Sequence, residues 1–163
     1  VSWSKQLVPV PSQAGLLDIQ FLDAKNGWIV GEQGTILVTR DGGKTWTPQA
    51  SGTRKTLHSV QIVDIRDVRE LQAEGTVVGA YHAPRCMLEF WVDPDSPYHK
   101  KLFADESREF ILFCGAGWRS ALAAKTLQDM GMTNVAHIEG GFGEWVKQGA
   151  PTETLEARKA RKA

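Results

Sequence analysis

The chain has 163 residues, 42% of them hydrophobic, with 19 basic and 19 acidic side chains, so a buried core is affordable and no basic block marks a nucleic-acid partner. No run approaches the ~20 apolar residues of a membrane span, and no charged stretch followed by an apolar one reads as a secretion leader, so no membrane partner is expected either. Two cysteines, Cys86 and Cys114, make a poor disulfide framework and fit a reducing, cytoplasmic compartment and a reactive thiol.

Residues 15–50 read as β structure. Leu17, Ile19 and Phe21 alternate with Asp18 and Gln20, which predicts a half-buried strand. Turns at Asn26-Gly27, Gln33-Gly34 and Asp41-Gly42-Gly43 separate three further strands: Trp28 to Val30, Thr35 to Thr39, and Lys44 to Thr47. The expectation is a four-stranded antiparallel meander. In its last turn Asp41 is placed to bond nearby amides, and Trp46 to anchor packing between layers.

Near residue 58 the pattern changes. The apolar run Val60 to Ile65 reads as a strand buried on both faces. Asp67 and Glu70 have capping-box spacing and open a short helix ending near Gly75. Thr76 to Val78 reads as a second strand, and an irregular segment rich in Pro and Asp follows. Glu109 to Phe113 is a third strand, Arg119 to Met130 a helix, Asn134 to Ile138 a fourth strand and Phe142 to Gln148 a closing helix. Strands alternating with helices predict a parallel α/β sheet. The expected organisation is a β repeat over 1–57, an α/β domain over 58–151 and a solvated basic tail over 152–163, with Arg158, Lys159, Arg161 and Lys162.

The chemistry concentrates at Cys114-Gly115-Ala116-Gly117-Trp118-Arg119, between an apolar strand and a helix. Small residues let successive backbone N–H groups converge, and such a nest in front of a helix N-terminus stabilises an anion. A thiolate there has a depressed pKa, and a persulfide anion suits the same cradle. Arg119 adds a fixed positive charge. His82 and His137 read as bystanders, and Arg66 and Glu70 as a structural pair. Cys86, after Ala83-Pro84-Arg85, is placed where it could reach the rim of the site. No cofactor or metal is called for.

Residues of about 61–151 resemble a single-domain bacterial rhodanese. The likeness is carried by Asp64-Ile65-Arg66-Asp67 with Glu70, by Gly79-Ala80, by the Cys114 loop, and by Glu139-Gly140-Gly141-Phe142 with Trp145 and Gly149-Ala150-Pro151. The segments Leu88 to Trp91 and Ser96 to Lys100 resemble one subgroup of that family. The resemblance implies a parallel sheet with helices on both faces. It also implies sulfane-sulfur transfer, from a donor such as thiosulfate to a thiol or cyanide acceptor. Cys114 would carry the sulfur, with Gly115, Ala116, Gly117, Trp118, Arg119 and Arg85 binding substrate. The family's usual first strand and helix are missing, which leaves a sheet edge to be uncovered or filled by a meander strand. Residues 3–57 resemble an Asp-box repeat, one propeller blade of photosystem II assembly factors. That implies a surface for a protein partner, although the same residues also read as scaffold with no site of their own. Two other readings compete with the enzyme. One is a non-catalytic interaction module. The other is a phosphatase or arsenate reductase of the same fold, whose loops have five residues between Cys and Arg where this chain has four, Gly115 to Trp118.

Overall fold

The computed structural model describes residues 8–10, 14–21, 24–51 and 54–162. Strands β1 (Leu16–Phe21), β2 (Gly27–Gly31), β3 (Ile36–Thr39) and β4 (Thr47–Gln49) form an antiparallel sheet in sequential order. The expected fourth strand starts later than its β-rich sequence implied, because residues 41–45 are used up in a turn. The Asp41 carboxylate accepts hydrogen bonds from the Thr45 amide at 2.9 Å and the Thr45 hydroxyl at 2.6 Å. The Thr39 hydroxyl donates to Asp41 at 2.9 Å and accepts from the Gly43 amide at 2.8 Å. These donors, those of Thr45 foremost, hold the Asp41 carboxyl down at about 2. The burial expected for β1 is corrected. Leu17, Ile19 and Phe21 do share a face, but they are 46%, 55% and 44% exposed. Alternation assigns a face and does not supply a layer to cover it.

The α/β part opens with β5 (Ser59–Asp64) and α1 (Val68–Glu74). Asp67 and Glu70 form the capping box, with the Asp67 side chain accepting from the Arg69 amide and Glu70 accepting from the Asp67 amide. Next come β6 (Thr76–Val77), β7 (Tyr81–His82), α2 (Arg85–Val92), β8 (Arg108–Phe113), α3 (Trp118–Asp129), β9 (Val135–His137), α4 (Gly141–Lys147), β10 (Thr152–Glu153) and α5 (Leu155–Lys162). The parallel sheet has the order β7-β5-β8-β9. Three expectations change. Thr76 and Val77 leave the parallel sheet and pair antiparallel with β10, and β7, not β6, lies beside β5 on the side away from β8. The segment expected to be irregular contains α2. The tail is not solvated along its length: α5 docks through Leu155 and Arg158, both buried, and the Arg158 guanidinium donates to the Ala80 carbonyl at 3.2 Å.

Both faces of the parallel sheet are covered. On one, Val63, Ile65, Phe110 and Leu112 meet Leu88 of α2 and Ala123, Ala124 and Leu127 of α3. On the other, Val60, Ile62, Ile111 and Phe113 share one cluster with Phe142 and Trp145 of α4 and with Trp28, Val30, Ile36 and Val38 of the meander. The meander therefore covers a face of the parallel sheet and does not extend its edge, so of the two alternatives, an uncovered edge or one filled by a meander strand, the second does not hold. Alternation puts Trp28, Val30, Ile36 and Val38 on its inner side, while Ile29, Leu37 and Trp46 cluster on its outer side.

Glu109 shares its strand face with Ile111 and Phe113 and is buried on the meander side, with one carboxylate oxygen unpartnered among the described residues. Burial pushes its carboxyl up from 4.5 to about 8. Between those values the folded protein keeps a proton that the unfolded chain has released. Stability is therefore expected to fall as pH rises through this window, at up to about 1.4 kcal/mol per pH unit. Denaturant titrations from pH 4 to 9 should show this slope in the wild type and its flattening in Glu109→Gln; an unchanged slope in the variant would assign it to other groups.

Candidate active site

Cys114 follows β8 directly and is 1% exposed, at the carboxyl end of the parallel sheet, where open α/β sheets place ligands. The chain then turns through Gly115, Ala116 and Gly117 into α3. Gly117 caps that helix with φ +90°, a conformation open to glycine, so the turn is tight enough to aim amides back at the sulfur. Burial pushes the Cys114 thiol up, but hydrogen bonds to the sulfur outweigh it and leave the pKa lowered. They come from the Ser120 amide and hydroxyl and from the amides of Ala116 and Gly117. The Ser120 hydroxyl lies 3.7 Å from Sγ and 2.9 Å from the Gly117 carbonyl, so its single proton can serve either.

A second element holds the loop from behind. The Phe142 amide donates to the Cys114 carbonyl at 2.7 Å and the Gly143 amide to the Gly115 carbonyl at 2.8 Å. This approach requires Gly141: a Cβ there would lie 2.3 Å from the Cys114 carbonyl oxygen, and its φ of +57° is already left-handed. Arg119 is fixed by a two-pronged pair with Glu70, at 2.8 and 2.7 Å. The pairing lowers the Glu70 pKa and raises that of Arg119, so both stay charged. Arg119 also feels the Cys114 sulfur through charge and hydrogen bonding.

The expected Arg66–Glu70 pair is corrected. Arg66 is fully buried and binds Asp64 at 2.9 Å, Glu74 at 2.8 Å and the Gly75 carbonyl at 2.7 Å. Its guanidinium stacks on Phe142, 3.9 Å from the ring centre. Glu70 is thereby free to cap α1 and hold Arg119 at once. The loop residues Cys114 to Arg119 come together as expected, but Trp118 is 80% exposed and projects to solvent from the first turn of α3. Arg85 begins α2 at the same end of the sheet, its amide bonded to the Ile65 carbonyl at 2.9 Å, and its guanidinium pairs with Glu89 on its own helix. Cys86 is exposed, and neither cysteine is in a disulfide. His82 bonds the Arg66 carbonyl at 2.8 Å, and His137 is exposed on β9. Two contributors escaped the sequence reading: Ser120, whose only signal was a hydroxyl just beyond Arg119, and Gly143, which carried none.

The family model of the rhodanese-like domain matches residues 32–148, and the chain belongs to that family. Among solved structures it is similar to a protein of unknown function from Rhodopseudomonas palustris CGA009, described as a possible tyrosine phosphatase. The identity is 55% and the TM-score 0.56, covering 58% of this chain and 70% of that one. A thiosulfate sulfurtransferase from Pseudomonas aeruginosa is 25% identical, with a TM-score of 0.49, covering 58% of this chain and 17% of the other. Shorter similarities reach the photosystem II stability/assembly factor HCF136 of Cyanidioschyzon merolae, 51% identical over 45 residues, which are 26% of this chain and 10% of that protein. The photosystem II assembly lipoprotein Ycf48 of Prochlorococcus marinus is 31% identical over 78 residues, 48% of this chain and 23% of that protein. The chain thus spans between a tenth and a quarter of these two curated relatives.

Removing the Ser120 hydroxyl should raise the Cys114 pKa, because one of the hydrogen bonds that favour the thiolate is lost. The pH dependence of Cys114 alkylation in Ser120→Ala, set against wild type, measures it; coincident profiles would remove the hydroxyl from the thiolate's support.

Proposed function

We propose that the protein is a sulfurtransferase that passes sulfane sulfur from a donor such as thiosulfate, through a Cys114 persulfide, to a thiophilic acceptor. The observation that carries this reading is the convergence of the Ala116, Gly117 and Ser120 amides on a Cys sulfur whose pKa they lower. In the first step the Cys114 thiolate attacks the sulfane sulfur of thiosulfate. The sulfur–sulfur bond of the donor breaks, and sulfite leaves with its electron pair. In the second step cyanide or a thiolate attacks the terminal sulfur of the persulfide; thiocyanate or an acceptor persulfide departs, and the Cys114 thiolate returns. The terminal sulfur carries negative charge between the two steps, which the amides and Arg119 oppose. In this reading Gly115 to Arg119 form the cradle and Arg85, at the same sheet end, meets the anionic donor. We place the reaction in the cytoplasm. We read the meander as a propeller-type repeat that serves as cover for the parallel sheet, with its outer face open to a protein partner. The turn built by Asp41 and the partial likeness to photosystem II assembly factors support that reading.

A phosphatase is the second reading, favoured by the description of the 55% identical relative. Against it stands loop size. Four residues between Cys114 and Arg119 make a smaller ring than five, and a phosphoryl group brings three equatorial oxygens where a sulfane sulfur brings one atom. Intact mass after thiosulfate treatment separates the two readings. One sulfur atom, about 32 Da, is expected on Cys114, together with thiocyanate formation on adding cyanide and no turnover of aryl phosphates. Cys114→Ser should lose both the adduct and the transfer. Retained transfer in that variant, or Cys114-dependent phosphatase turnover in the wild type, would overturn the proposal.

A further inference from the structure

Where the meander meets the α/β part, a cleft of about 250 Å³ opens beside the segment leading into α4. Its walls mix apolar and polar groups: Trp28 and Val38 from the meander and Trp145 from α4, all buried, beside Asn26, Gln49, His137 and Gln148. Its rim is charged on both sides. Arg40 comes from the meander and enters no ion pair among the described residues; Glu139 comes from the loop after β9 and likewise enters none. The other rim carboxylate, Glu144, is already bonded to Lys147 and Gln148. Two opposite charges without ion-pair partners among the described residues therefore line one cleft from opposite halves of the fold, with Trp28, Val38 and Trp145 between them as its apolar part. At a volume below the ~300–1,000 Å³ of drug-sized sites, only a small molecule fits.

The geometry points to a binding site for a small zwitterion with an apolar side group, an α-amino acid in chemical class. Its carboxylate meets Arg40, its ammonium meets Glu139, and its side chain lies against Trp28, Val38 and Trp145. One charge alone leaves the opposite rim group unanswered, so a simple carboxylate or a simple amine is a poorer ligand. The cleft is also coupled to catalysis. Gly140 and Gly141 line it, and Gly141 backs closely onto the Cys114 carbonyl. The next two amides hold the Cys114 and Gly115 carbonyls. A ligand that braces this strip of backbone braces the catalytic loop on its other side, which makes the site an effector site.

Calorimetry with the full chain tests it, using L-leucine as probe and isocaproate and isoamylamine as the same skeleton stripped of one charge. Leucine should bind, and each analogue should bind roughly tenfold or more weakly. Arg40→Gln should lower leucine affinity about tenfold and bring it level with isoamylamine, and Glu139→Gln should bring it level with isocaproate. Both side chains sit at a rim, so the variants should fold, which circular dichroism checks. No heat from leucine at millimolar concentration, or binding indifferent to both substitutions, overturns the site. The coupling rests on the sulfur-transfer reading and is measured apart, as the rate of thiosulfate loading of Cys114 with and without leucine. An unchanged rate with leucine bound overturns the coupling, while failure to load in the absence of leucine counts against the sulfur-transfer reading alone.

Discussion

The Cys114 loop keeps its shape because the first turn of α4 lies directly behind it. Two amides of that turn, from Phe142 and Gly143, bond the Cys114 and Gly115 carbonyls. With the Gly115 carbonyl drawn backward, its peptide plane turns the Ala116 N–H toward the sulfur. The contact is possible because Gly141 has no side chain to strike the Cys114 carbonyl. The same turn is anchored from below. Phe142 stacks on Phe113 and carries the buried Arg66 guanidinium on its ring, and Arg66 in turn is held by Asp64, Glu74 and the end of α1. A buried charge of this kind is costly unless every donor is answered, and here most are. The network ties α1, α4 and the ends of β5 and β8 into one body around Cys114.

Glu70 connects this body to the front of the loop. One carboxylate caps α1 through the Asp67 amide and also grips Arg119, so the helix after β5 and the helix after β8 are registered by a single side chain. The meander contributes at one remove. It places Trp28, Val30, Ile36 and Val38 in the cluster that contains Phe113, Phe142 and Trp145, so the layer behind the Cys114 loop is partly made of residues from the other half of the chain.

Local features were legible in the sequence and remote ones were not. The Asp67–Glu70 capping box, the turn at Asp41 and the Cys114 loop all depend on residues a few positions apart, and each forms as its spacing implies. The partner of Glu70 was not legible, because Arg66 and Arg119 are equally good chemically and distance decides between them. The exposure of Leu17, Ile19 and Phe21 depends on what lies over β1, which alternation does not encode. Helix α2 was hidden by the Pro and Asp residues that flank it, and α5 by a charged composition in which, among the described side chains, Leu155 and Arg158 are the buried ones. Of the candidate site, the Cys114 sulfur and the Ala116 and Gly117 amides that face it could be read directly. Gly143 could not, since its part is played by a backbone N–H that every residue but proline has.

The shared cluster also bears on the order in which the protein is made. The meander has only neighbouring strands to pair, so its contacts are local and quick to form. Its inner face is answered only when β5, β8 and then α4 have been synthesised, since Ile111, Phe113, Phe142 and Trp145 complete that cluster. During translation Trp28, Val30, Ile36 and Val38 therefore stay without their partners until those later elements emerge, since more than a hundred residues separate Trp28 from Trp145. For that interval the growing chain presents the sort of apolar surface that chaperones bind and aggregates recruit.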